Sequence, residues 1–283
     1  MIIWLTSYPK SGNTYVRAFL SAYYFSLDGK FNFNQISKIK QFPHEKFFDK
    51  KINSISEASS QWMPIQKKIV QNKKILFLKT HSCLANYKNN IFTSPETSLG
   101  AIYIVRDPRN VFTSIKNHFS LNDNESLNMI LDKERGLVSN NGSLASYSFI
   151  SSWSNHYLSW LKNNKFRRFF VKYEDLISNK YETFRDIIVF INTLMNRTEG
   201  VDKSKLQKAI ESTNFEVLKN KEINENFSSS DNDFKSWRNF HKENKNLFFN
   251  LGPDNKWENI LNKKIRKEIE TNFVNEMKEL NYL

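Results

Sequence analysis

Four short apolar runs, each followed at once by polar or reactive residues, limit what this chain can fold into. They are Ile2-Ile3-Trp4-Leu5, Ile75-Leu76-Phe77-Leu78, Ala101-Ile102-Tyr103-Ile104-Val105 and Phe169-Phe170-Val171. None alternates polar with apolar residues, so each buries both faces, as strands of a parallel sheet do. Between the runs the apolar spacing turns helical. Val16, Phe19, Leu20, Tyr23 and Tyr24 share one face of a helix starting near Thr14. Val111, Ile115 and Phe119 mark a second helix, and Leu144–Leu161, with Trp153, Tyr157 and Trp160, reads as a third. Tyr181–Leu194 and Lys203–Glu211 read as two more, and Ile265, Ile269, Phe273 and Leu280 mark a C-terminal one. Strands alternating with helices predict an α/β fold with a central, mostly parallel sheet flanked by helices. Lys30–Glu57, Leu121–Gly142 and Lys219–Asp233 read as loops. No repeat and no long linker divides the chain, so 1–283 is expected to be one domain.

Composition narrows the partners. The chain carries 42 Lys and Arg against 29 Asp and Glu, a formal charge of +13. Such an excess points to an anionic partner, whether nucleic acid, an acidic membrane surface or a polyanionic small molecule. Scattered lysines also fit a plain solvated surface. With 39% hydrophobic residues and 24 Phe, the chain has a core to bury and is not wholly disordered. One Cys excludes an intramolecular disulfide and a cysteine-cluster metal site, and it fits a reducing compartment. The first apolar run ends after Leu5, too short for a signal-peptide core, and no later run reaches the length of a membrane span. A soluble, cytoplasmic protein is expected.

Three constellations carry chemistry. The first is Ser7-Tyr8-Pro9-Lys10-Ser11-Gly12-Asn13-Thr14, between an apolar strand and an amphipathic helix. It lacks both GxxxxGK[ST] and GxGxxG. Its physics is still that of an anion cradle. Backbone N–H groups and the dipole of a helix start favour negative charge, Gly12 lets the backbone come close, Lys10 adds a cation and Thr14 a hydroxyl. A plain turn and helix cap is the bland alternative. The second is Leu78-Lys79-Thr80-His81, directly after the second run. The chain has five histidines, His44, His81, His118, His156 and His241. His81 stands out because open parallel sheets bind ligands at the C-terminal ends of their strands. His118 reads as structural, and His44 is a candidate acceptor contact. The third is Val105-Arg106-Asp107-Pro108-Arg109-Asn110-Val111-Phe112-Thr113-Ser114: a strand, an Arg, a Pro at the helix start and a hydroxyl two turns on, a plausible anion clamp. Arg109 reads as a surface residue.

Thr6–Val16 resembles the 5′-phosphosulfate loop of the sulfotransferases that use 3′-phosphoadenosine 5′-phosphosulfate (PAPS). That resemblance implies a P-loop-like three-layer fold. It implies that Lys10, Ser11, Gly12, Asn13 and Thr14 hold the donor. The Lys-Thr-His segment resembles the one whose His is the family's catalytic base. A neutral imidazole at His81 is able to take the proton from an attacking hydroxyl. By the same likeness Lys79 helps hold the sulfonate, and Arg106 with Ser114 grips the 3′-phosphate. Tyr173-Glu174-Asp175-Leu176 and Ser212-Thr213-Asn214-Phe215 resemble segments near adenine, which implies contacts from Tyr173, Thr213 and Phe215. Tyr15 stands where many relatives carry a stacking Trp.

Phe248–Gly252 through Trp257-Glu258-Asn259 resembles the family's closing segment. Relatives have Arg-Lys-Gly there; here Asn250 and Leu251 precede the retained Gly252. Lys235, Arg238 and Lys256 are candidate substitutes for the missing cations.

The expected activity is therefore sulfuryl transfer from PAPS to a hydroxyl or amine, with His81 as base, Lys10 and Lys79 at the reacting group, 3′,5′-adenosine bisphosphate (PAP) as product and no metal. Catalysis would be mostly positioning and charge stabilisation, as in phosphoryl transfer. A P-loop kinase for a small metabolite, a basic nucleic-acid module and a non-catalytic nucleotide-binding protein are the alternatives. The missing GK[ST], the absence of a nucleic-acid motif, and intact Lys10 and His81 weigh against them. The acceptor is a sugar, lipid or small molecule. Phe42, Phe47, Phe48 and Trp62 either line its pocket or belong to the core.

Overall fold

The computed structural model describes residues 1–139, 141–162, 164–224 and 249–283. Five strands, β1 (Ile2–Ser7), β2 (Lys40–Gln41), β3 (Leu76–Thr80), β4 (Ser98–Val105) and β5 (Arg167–Lys172), form one sheet in the order β2-β3-β1-β4-β5. Every neighbouring pair in it is parallel. Each of the four apolar runs supplies one strand. The edge strand β2 lies in a segment read as loop, because two residues carry no hydrophobic pattern.

The main helices, in chain order, are α1 (Asn13–Phe25), α2 (Trp62–Val70), α3 (Pro108–His118), α4 (Asp123–Leu131), α5 (Trp153–Leu161), α6 (Lys180–Leu194), α7 (Lys203–Ser212), α8 (Phe215–Asn224), α9 (Lys263–Asn272) and α10 (Val274–Glu279). They cover both faces of the sheet. Ile3 and Leu5 of β1, with Ile102 and Ile104 of β4, pack against α1, α6 and α7. Ile2 and Trp4, with Ala101, Tyr103 and Val105, pack against α2, α3, α5 and α9. Successive strand residues thus serve two cores, which is why the runs show no polar alternation. The result is the α/β/α sandwich expected. No described helix is long and apolar enough to cross a membrane.

Four local readings need correction. Leu144–Leu161 is not one helix. Leu144–Ser146 is a 3-10 turn, Ser148-Phe149 pairs with Gly136-Leu137, Ser151 takes a positive φ of 56°, and α5 starts only where Ser152 Oγ accepts from Asn155 N at 3.2 Å. Leu121–Gly142 contains α4. The Asn and Glu that read as loop residues form its capping box, Asn122 with Glu125. The C-terminal helix breaks at Phe273 into α9 and α10. The stretch Lys219–Asp233 begins inside α8, and its remainder lies outside the described residues.

Register places the site. Thr6 pairs with Thr80 on one side and Tyr103 on the other, and Val105 pairs with Lys172. The four long strands therefore end at one edge, and the residues following them, Tyr8, His81, Arg106 and Tyr173, emerge together there. Behind that edge Phe184 of α6 is fully buried, stacked on Phe19 at 3.9 Å and edge-on to Tyr15 at 5.3 Å. Phe184→Ala should cost about 3–5 kcal/mol of stability in urea unfolding, the range for an aromatic deleted from a packed core.

Candidate active site

The turn after β1 is shaped for close approach. Lys10 takes φ 66° and Gly12 φ 100°. A Cβ on Gly12 would stand 2.5 Å from Cδ2 of Tyr173. Glycine is needed there for both the left-handed backbone and the ring above it. The Gly12 carbonyl accepts from Tyr15 N at 3.1 Å, which starts α1 and leaves its first N–H groups facing the turn.

Three cations gather at that turn. Burial, then Arg106, then Lys79 push the Lys10 ammonium down to about 7, while Glu222 of α8 acts the other way. Lys10 Nζ also lies 3.2 Å from His118 Nδ1, and Lys79 Nζ donates to Gln41 Oε1 at 3.1 Å. Arg106 donates to the carbonyls of Lys10 and Gly252, both at 3.2 Å, and lies over the Tyr173 ring at 4.1 Å. Its Nε is buried without a partner among the described residues.

His81 is held from two directions. Its Nδ1 donates to the carbonyl of Ser7 at 2.8 Å, so the neutral ring carries its lone pair on Nε2. Burial first and Lys79 second hold its pKa well below the ordinary 6.5. From the other side α5 grips the segment that His81 begins. His156 Nε2 donates to the His81 carbonyl at 3.0 Å, Ser159 Oγ accepts from Leu84 N at 2.9 Å, and Trp160 Nε1 donates to the Ser82 carbonyl at 3.1 Å. His156 Nδ1 faces the Tyr103 hydroxyl at 2.8 Å, and burial pushes its pKa down to about 3.

These groups open on a cavity of about 400 Å³. Lys10, Gly12, Asn13, Thr14 and Tyr15 line it from the first constellation, and Lys79 and His81 from the second. Arg106 and Ser114 line it from the third, with Tyr173, Phe215 and Gly252 beside them. Two expected contacts fall elsewhere. Ser11 is fully buried beneath the turn. Thr213 is buried with its Oγ1 bonded to the Ala209 carbonyl at 2.6 Å, so it closes α7 instead of lining the cavity.

Asn250 and Leu251 line the cavity without supplying a cation. Lys256 lines an adjoining hollow together with Arg106 and Tyr173. His241, Lys235, Arg238 and Phe248 lie outside the described residues.

Arg109 is not a surface residue. At 5% exposure it pairs with Asp107 at 2.7 Å and Glu270 at 2.6 Å and stacks on Trp257 at 3.9 Å. His118, read as structural, lines the cavity, as does His44. His118 stands four residues after Ser114, one turn along the same helix face, so its place was legible in the spacing. Glu222 and Gln41 had no such signal.

Residues 2–281 match the family model described as the sulfotransferase domain. Two solved structures share the fold, each 16% identical over 98% of this chain. One, retinol dehydratase in complex with androsterone and inactive cofactor PAP, has TM-score 0.58 and is covered over 80% of its length. The other, retinol dehydratase in a complex with retinol and PAP, has TM-score 0.57 and is covered over 81%. No curated protein matches.

The buried imidazoles fix a sign for pH dependence. Between about 3 and 6.5 the unfolded chain binds a proton at residue 156 that the folded chain does not, so stability falls as pH drops through that window. In denaturant unfolding, His156→Gln should make the fall shallower, by up to about 1.4 kcal/mol per pH unit. Parallel curves for the two proteins would refute the neutral His156.

Proposed function

The chain belongs to the sulfotransferase family, and on that premise we propose that it moves the sulfuryl group of PAPS to a hydroxyl or amine of a small-molecule or glycan acceptor, with His81 as base. The observation that carries this reading is the meeting of a neutral imidazole with three cations, Lys10, Lys79 and Arg106, at one edge of the sheet. The residues fit such a donor. Repulsion among the cations is relieved by a polyanion, and the buried Arg106 Nε is a donor that a phosphate oxygen would satisfy.

Lys10 and the N–H groups at the start of α1 would hold the 5′-phosphosulfate. Arg106 and Ser114 would hold the 3′-phosphate and so select against ADP and ATP, with Lys256 standing in for the cations missing at Asn250 and Leu251. Tyr15, Tyr173 and Phe215 offer aromatic surface to the adenine. PAPS supplies the activated sulfuryl group and leaves as PAP. His81 Nε2 takes the acceptor proton as the acceptor oxygen bonds to sulfur. Lys10 meets the negative charge that grows on the bridging oxygen, and Lys79 steadies the sulfonate. Neutrality of His81 keeps the base in its working form, so loss of activity at acid pH should begin below 6.5. The single, buried thiol of Cys83 accords with a cytoplasmic setting.

Calorimetry tests the donor site. Without metal, PAP should bind tightly and ADP and ATP weakly, and Arg106→Ala should erase that difference. Burial and the neighbouring cations lower the proton affinity of Lys10 in the free protein to about 7, and a bound anion raises it, so PAP binding at pH 8 should take up protons. The heat will then depend on the buffer's ionisation enthalpy in the wild type and not in Lys10→Arg. His81→Ala should lower turnover about 10²–10⁴-fold and leave PAP binding nearly intact. Full activity in that variant would refute the base.

A further inference from the structure

Beyond Lys79 and His81 the cavity continues between the turn after β2, the end of α3 and the loop after Leu137. Its lining there is polar: Glu45, Lys46, Asn117, His118, Ser139 and Asn141. Part of this wall is preset. Asn141 Nδ2 donates to Glu45 Oε2 at 3.0 Å, and Ser139 Oγ donates to Asn141 Oδ1 at 2.6 Å. A carboxylate and an amide held side by side accept from and donate to neighbouring hydroxyls.

The aromatic side chains that a flat apolar alcohol needs are elsewhere. Phe42 and Trp62 are buried in the core on the α2 side of the sheet, Phe47 and Phe48 pack against that core, and none of the four lines the cavity. Leu137 and the half-exposed ring of Phe119 supply apolar contact at this end. An aromatic ring in a polar wall suits the C–H face of a sugar. Glu45 and Lys46 leave this wall without formal net charge, which favours a neutral acceptor over a charged one. Resting on the sulfotransferase reading above, we infer that the acceptor is a neutral, hydroxyl-rich molecule of the saccharide class, sulfated on a hydroxyl. The hydroxyl oxygen bonds to sulfur, the bond from sulfur to the bridging oxygen of PAPS breaks, PAP leaves with that electron pair, and the proton passes to His81.

The test follows PAP formation by the full chain from PAPS with methyl β-glucoside, cellobiose and chitobiose, and with 2-naphthol and androsterone. The same preparation is titrated with PAP. PAP should bind, and at least one sugar should be turned over with a higher kcat/KM than either apolar alcohol. Asn141→Ala should raise KM for that sugar about three- to tenfold, the worth of one hydrogen bond, with KM for PAPS unchanged. If the protein binds PAP but turns over only the apolar alcohols, or no member of the panel, the saccharide class is overturned and the donor reading stands. An unchanged sugar KM in Asn141→Ala also overturns it. Failure to bind PAP overturns the donor reading and the acceptor class with it.

Discussion

The hydrogen bond from His81 Nδ1 to the carbonyl of Ser7 is the contact on which the site depends. It joins the residues that end β1 and follow β3, and it forms because Thr6 and Thr80 are register partners. It also sets the tautomer, leaving the lone pair of the neutral ring on Nε2. The other side of the same segment is tied to α5 by His156, Ser159 and Trp160. The orientation of the imidazole is thus set by a sheet and a helix and not by a loop, which suits the role of base proposed for it.

Electrostatics complete what the register begins. Lys10 sits buried beside Arg106 and Lys79, an arrangement that weakens its hold on a proton while no anion is near. Glu222 and the carbonyls that accept from Arg106 offset part of that repulsion. A polyanion offsets the rest, so ligand binding and fold stability are linked through the same side chains. The buried His81 shares this field: Lys79 and Lys10 both oppose its protonation, so the cations that would hold a donor also keep the imidazole neutral.

Much of the fold was legible because its strands are short, apolar and buried on both faces, and because His81, Arg106 and Tyr173 follow strand ends directly. Where the sequence misled, a local signal had two meanings. Asn122 and Glu125 look like loop residues and are a helix cap. Thr213 sits in a segment that resembles an adenine contact and spends its hydroxyl on its own helix. Arg109 looked like a surface charge, and Glu270 and Trp257, which bury it, are far away along the chain. Long-range partners of that kind leave no trace in spacing. The same holds for the wall around Glu45 and Asn141, built from segments about a hundred residues apart.

Arg109 also ties Tyr282 to the wall of the cavity. It donates to the carbonyl of Tyr282 at 2.8 Å, and the Tyr282 hydroxyl donates to Glu174 at 2.9 Å. Glu174 in turn accepts from the backbone N–H of Asp107, the residue next to Arg106. Tyr282 therefore acts as a brace beside the Arg106 guanidinium, which faces the cavity. A change at residue 282 is thus felt, through Glu174 and the backbone of Asp107, one residue from Arg106.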